Sequence, residues 1–158
     1  ADQPENLDAR ANMLYAAMLS GCVIAQSGTT LVHGMGYHYT LRFGIPHGLA
    51  NALLLTPLFQ HDAKFLPEKV AEIAAALGYP ARPEPGHASS QIAAAIHGLL
   101  GQLGVSPAAK DAGVEADAIP ELAKITFEDK PRSKNQPGQL SLEDIQRFFE
   151  QSVSGATE

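Results

Sequence analysis

The sequence predicts an all-α fold, an irregular bundle of several helices. Three observations carry that expectation. Apolar residues recur at helical spacing in one segment after another. Clusters of proline, glycine and short polar residues punctuate those segments. No stretch of useful length alternates apolar and polar residues, as a half-buried strand does.

The first helix is expected from about Asn6 to Gln26, where Leu14, Ala17, Met18, Gly21, Cys22 and Ala25 keep the spacing of one face. Apolar residues spill onto its other faces, so burial on more than one side is expected. Ser27-Gly28-Thr29-Thr30 interrupts it, and a second helix covers Thr30 to Leu41. Gly44 and Pro46 stop that helix, because a proline pushes the residue before it out of the helical region. The third helix begins near His47 and carries Ala50, Leu53, Leu54 and Leu55 to Pro57, which is expected to kink or reset it. The fourth opens with Pro67, where a missing N–H costs nothing; Val70, Ile73, Ala74 and Leu77 form its apolar face and Gly78 ends it.

Pro80 to Gly86 reads as a loop by composition, short enough to lie within one domain. A fifth helix spans about Ser89 to Leu103, with Ile92, Ala95, Ile96, Leu99 and Leu100 inward. A shorter helix or turn covers Pro107 to Ala112, and another helix runs from about Ile119 to Thr126. Residues 129–139 are polar and proline-bearing, hence an exposed loop; Arg132 and Lys134 in it read as solvated charges rather than a phosphate patch. The last helix opens with Ser141-Leu-Glu-Asp144, a capping box with Asp in place of Glu or Gln. It continues through Ile145, Phe148 and Phe149 and is expected to fray after Val153.

With 158 residues and 45% hydrophobic content, the chain can bury its own core, and residues 1–158 are expected to form one domain. The charged fraction of 18% is low, which suggests that part of the surface is covered by another domain or subunit. A net charge of −6 without a basic stripe argues against a nucleic-acid partner. No run approaches the ~18 uninterrupted apolar residues of a membrane span. The first eight residues are acidic and lack a signal peptide's basic start. A cytoplasmic location is therefore expected. The single Cys22 has no partner for an internal disulfide and is expected to serve as a small buried hydrophobe.

Three of the six histidines crowd into one short stretch: His33, His38 and His47. His33 falls in the second helix, and His47 lies beyond the Gly44/Pro46 break at the start of the third. Such an arrangement lets two imidazoles converge from different elements, as ligands of one metal ion do. From spacing alone, a pair of solvated or capping histidines is the commoner reading. His61, His87 and His97 look unremarkable: a helix-end or surface residue, a loop residue and a partly solvated helix residue.

The wording of the segment adds to the spacing. Leu31-Val-His33-Gly-Met-Gly36, followed by Ile45-Pro-His47-Gly-Leu-Ala-Asn-Ala-Leu-Leu-Leu-x-Pro57, closely resembles the signature of the iron-containing alcohol dehydrogenases, whose two histidines are likewise fourteen positions apart. The resemblance is densest over about Asn12 to Ala63. It recurs more loosely at Leu103-Gly-Val-Ser106, Asp111 to Glu115, Ile119-Pro-Glu-Leu-Ala123, Pro131-Arg132 and Leu140 to Ile145.

The resemblance implies the C-terminal helical domain of a dehydroquinate synthase-like, iron-dependent enzyme. In that family an N-terminal α/β domain binds NAD or NADP, and the helical domain holds one divalent ion, Fe2+ or alternatively Zn2+. The ion is held by one Asp and three His, and substrate reacts in the cleft between domains. The last two histidines match His33 and His47; no counterpart of the Asp and first His is expected in this chain, nor is a glycine-rich nucleotide cradle. The implied activity interconverts a small alcohol and its aldehyde or ketone, in a homo-oligomer.

Many relatives carry a further histidine four residues after the first ligand, facing substrate and nicotinamide. Here Tyr37 stands at that position and His38 follows it. One residue turns a side chain about 100° around a helix, so His38 is not expected to substitute, whereas Tyr37 can line the cleft. Taken alone, with two of four ligands, the polypeptide is expected to bind metal weakly and to show no turnover. It is also expected to present an unusually apolar surface where the other half would sit. The alternative function is a catalytically silent helical interaction module on the same scaffold.

Overall fold

A computed structural model describes residues 3–80, 84, 86–129 and 134–156. Those residues are helical, with no strand among them. The elements run in order α1 (Leu7–Ser27), α2 (Leu31–Phe43), α3 (His47–Asp62), α4 (Pro67–Ala76) and α5 (His87–Gln102). Two one-turn 3₁₀ helices follow, Ala109–Ala112 and Ala116–Ala118, then α6 (Ile119–Glu128) and α7 (Leu142–Ser154).

The ends are set by local chemistry. Asn6 caps α1 by accepting the Ala9 N–H at 3.0 Å. Gly44 ends α2 in the left-handed conformation, with φ 69°. Ser141 and Asp144 form the reciprocal capping box at α7 that their spacing announced. Pro57 does not break α3, which runs on to Asp62. Helix α5 begins at His87, earlier than composition suggested, so His87 is helical rather than in a loop.

The main core lies where α3 doubles back along α2 and both pack against α6 and α7. Leu31, Met35, Tyr39, Leu54, Leu122, Ile145, Phe148 and Phe149 are its fully enclosed large side chains. Each such side chain contributes roughly 1.5–3 kcal/mol by leaving water. The Tyr39 hydroxyl donates to Ser152 Oγ at 3.3 Å, and burial pushes its pKa up to about 12. A smaller core joins α4 and α5 to the end of α3 through Ala63, Val70, Ala71, Ala74, Ala88 and Ile92. Ile73, Leu77 and Leu99, expected inward, are exposed because this cluster of small residues occupies a narrower face of each helix.

Helix α1 departs most from expectation. It has no buried residue, and Leu7, Met13 and Leu14 are each more than 70% exposed. Cys22 is exposed with it rather than buried. The periodicity correctly marks a helix whose apolar groups face all round, but nothing among the described residues covers it. Among the described residues, no single helix is long and apolar enough to cross a membrane. Asn135 ties the junction of α1 and α2 to the late loop, donating to the Ser27 and Thr29 carbonyls at 2.9 and 3.2 Å. Arg132, Pro131 and most of the Pro80–Gly86 loop lie outside the described residues.

His61 is a second correction: it is 5% exposed, wedged against Phe65 and Phe148, and its Nε2 donates to the Pro137 carbonyl at 3.0 Å. A histidine late in a helix looked solvated because the loop that folds over it is remote in sequence. Beside it, Asp62 accepts a hydrogen bond from Gln136 Nε2, while Gln136 Oε1 accepts the Leu31 N–H at 3.3 Å. One side chain thus ties the last residue of α3 to the first of α2. Burial pushes the Asp62 pKa up to about 6, outweighing the Gln136 hydrogen bond.

A folded pKa above the unfolded value means the contribution is complete below about 3.8 and is lost as pH rises through about 6. Asp62→Asn keeps the acceptor oxygen and removes the buried charge. It is expected to raise stability at pH 7.5 by about 1–2 kcal/mol after solvent screening, with no gain at pH 4. Urea denaturation at the two pH values checks this; equal effects at both would remove the buried charge as the cause.

Candidate metal centre

The site is built by the α2–α3 reversal. His33 lies in the first turn of α2, with Gly36 and Tyr37 three and four residues on, hence on the same face. His47 is the first residue of α3, and Asn51 follows one turn later. The turn Gly44–Ile45–Pro46 lets α3 return against α2, with Ile45 buried beneath it.

That return brings the two imidazoles together. His33 Nδ1 lies 3.2 Å from His47 Nε2, and the ring centroids are 5.2 Å apart. Asn51 completes the cluster: its Nδ2 is 3.4 Å from His33 Nδ1 and 3.2 Å from His47 Nε2. Tyr37 stacks on the His47 ring at 4.7 Å, nearly parallel, and is itself 39% exposed. The site therefore has an aromatic wall open to solvent on one side. His38 is half-buried and lies about 140° around α2 from His33, whereas Tyr37 lies about 40° from it.

Burial, and then the proximity of His47, lower the His33 pKa below its ordinary value. Two imidazole nitrogens at this separation either share a hydrogen bond or direct two lone pairs at one cation. His47 Nδ1 and Asn51 Oδ1 are buried without a hydrogen-bond partner. A metal-bound imidazole ordinarily has an acceptor behind its other ring nitrogen, and among the described residues His47 Nδ1 has none. No cluster of three or more His, Cys, Asp or Glu side chains that could hold a metal is found among the described residues.

Sequence reasoning missed Asn51, whereas Gly36 was legible with its neighbouring glycines as a position of close approach beside the histidines. A Cβ placed on Gly36 would lie 2.0 Å from Asn51 Oδ1 but 3.5 Å from the Asn51 backbone nitrogen, so glycine here leaves room for the Asn51 amide. The available signal was the one-turn spacing from His47 to Asn51. A separate cavity of about 290 Å³, lined in part by His61, Lys64, Ser90 and Arg147, sits at the other end of α3. Fourteen residues of helix, roughly 21 Å, separate His61 from His47, so this cavity is no part of the site.

A helical domain with two converging imidazoles beside a glycine-tight crossing defines a class of protein rather than one activity. Comparison with known proteins narrows it. The family model for the Fe-containing alcohol dehydrogenase family, C-terminal, matches residues 1–153, and the chain belongs to that family. It is 31% identical over 143 residues to lactaldehyde reductase of Escherichia coli K12, covering 90% of this chain and 37% of that protein. It is 30% identical over 148 residues to 1,3-propanediol dehydrogenase of Klebsiella pneumoniae, covering 93% and 38%. Among solved structures, a 1,3-propanediol oxidoreductase superposes with a TM-score of 0.85 at 29% identity, over 94% of this chain and 39% of that one. An alcohol dehydrogenase from Oenococcus oeni gives 0.84 at 27%, over 93% and 38%. The chain thus spans less than two fifths of the length of these relatives.

Gly36→Ala gains up to about 1 kcal/mol of helix propensity but must displace Asn51. Overpacking costs of about 1–3 kcal/mol outweigh that gain, so a net loss of stability is expected. Thermal unfolding of the variant measures it; an unchanged or raised midpoint would mean the crossing is not tight.

Proposed function

We propose that this chain is the C-terminal helical part of a metal-dependent, NAD(P)-dependent alcohol dehydrogenase, and that His33 and His47 are two of the ligands of its divalent ion. The observation that carries this reading is the meeting of those imidazoles from two helices. The donors fit such an ion. At metal–nitrogen bonds of about 2.0–2.1 Å, adjacent ligands stand about 2.8–3.4 Å apart, and the pair stands at 3.2 Å. Fe2+ is the ion the family description favours, with Zn2+ the alternative. When bound, it would supply Lewis acidity toward an alcohol or carbonyl oxygen, with hydride exchanged with a nicotinamide held mainly by an upstream domain.

The chain's own residues have the remaining roles. His33 and His47 present unprotonated nitrogens to one point. Tyr37 packs on His47, holds its ring plane and gives an alcohol or aldehyde an aromatic surface to lie against. Its position one turn from His33 puts it on the same face of α2 as that imidazole. In this reading the uncovered α1 lies against the upstream half, or against a second copy in a homo-oligomer. An all-round apolar helix is otherwise a solubility liability.

A second reading, a helical interaction module without catalysis, is favoured by the finding of two imidazoles and no larger metal-binding cluster among the described residues. Joining the chain to the nucleotide-binding half of a relative separates the two. Iron-dependent reduction of a small aldehyde with NADH or NADPH is expected, falling at least 100-fold in His47→Ala. An iron-loaded, folded fusion without turnover favours the module. The 158-residue chain alone is expected to show no turnover, and light scattering is expected to show concentration-dependent association.

A further inference from the structure

We propose that the cavity at the far end of α3 binds a small organic oxyanion, a carboxylate or a phosphate monoester, between Lys64 and Arg147. The inference stands apart from the reading of His33 and His47. The cavity holds about 290 Å³, close to the lower end of small-molecule sites, and lies between the end of α3, the start of α5 and one side of α7. In a chain of 17 acidic and 11 basic residues, two cations border it and, among the described residues, no carboxylate does. A concave surface carrying one sign of charge focuses its field on whatever lies inside.

The two cations are differently engaged. Lys64 is exposed and has no ion-pair partner among the described residues. Arg147 Nη2 donates to Asp144 Oδ1, and the other oxygen of that carboxylate accepts the Ser141 N–H and hydroxyl. A guanidinium has five N–H donors, so this pairing leaves others for a ligand. Burial lowers the His61 pKa most, and both cations lower it further, which places them near the same imidazole.

The remaining wall suits an organic acid better than a bare ion. Ser90 Oγ donates to the Gly86 carbonyl at 2.6 Å, and rotation of that hydroxyl turns its hydrogen toward a ligand oxygen. Gln60 and Gln151 add amide donors, while Pro57 and Phe148 give apolar surface for a short carbon chain. Helix α5 starts here with no side-chain cap and no acid in its first turn, so the positive end of its dipole adds to the two cations.

The test is a calorimetric titration of the 158-residue chain with inorganic phosphate, glycerol 3-phosphate and glycerate, with circular dichroism confirming the fold of every variant. At least one of the two organic anions is expected to bind more tightly than inorganic phosphate and to move the Ser89 and Ser90 amide signals. The tighter of the two identifies the headgroup. Added NaCl is expected to weaken binding, since Lys64 is exposed. Lys64→Gln is expected to lose at least fivefold in affinity, and Ser90→Glu, which sets a carboxylate at the cavity wall, to abolish binding. Lys110→Gln removes an exposed charge elsewhere and is expected to bind as wild type does. The proposal is overturned if neither organic anion binds, if inorganic phosphate binds as tightly as both, or if Lys64→Gln and Ser90→Glu leave affinity unchanged. A loss in Lys110→Gln equal to that in Lys64→Gln would mean diffuse surface charge and overturns it as well.

Discussion

The structure depends on how closely α3 can return along α2. The Gly44–Pro46 turn sets the reversal, and the missing Cβ at Gly36 leaves room for the Asn51 amide between the helices. Everything at the site follows from that contact. His33 and His47 come from separate helices, and their separation is a matter of tenths of an ångström in the packing between them. The same reversal brings Asp62 and Leu31 to one glutamine side chain at the other end of the pair. The hairpin is therefore fastened at both ends by polar groups and along its length by Leu31, Met35 and Leu54.

Packing and chemistry divide the hairpin between them. One side of α2 enters the core with Tyr39 and Met35, against α7 and its two phenylalanines. Another carries His33, Gly36 and Tyr37 toward His47 and Asn51. The site residues thus sit on elements whose opposite faces are held by well-packed apolar side chains. This limits how far the imidazoles can drift, and preorganised ligands lose less freedom on binding. The same enclosure lowers the His33 pKa, since burial disfavours a charged imidazole.

Against this ordered centre stands α1. It is as apolar as a core helix yet exposed throughout. Helices of that composition are stable in water chiefly by being covered. Membership of a family whose members run to more than twice this length gives the exposed face a physical sense, because a helix can be written for contacts that lie outside its own segment.

Much was legible before any coordinates. The 3.6-residue period, the proline and glycine stops and the Ser141–Asp144 box marked nearly every helix, because those signals act within a few residues of themselves. The two histidines flanking a break marked the site for the same reason. What stayed hidden depends on residues distant in sequence. His61 is buried by a loop more than seventy positions away, and Asn51 matters only because Gly36 opposes it. The breadth of apolar surface on α1 led to an expectation of burial that no described residue meets, because composition carries no information about which segment packs against a helix. The sequence by itself determined the helices and the candidate ligands, through local hydrogen bonding and periodicity. Only the tertiary structure decided which side chains meet, because that is set by how closely two helices can pack.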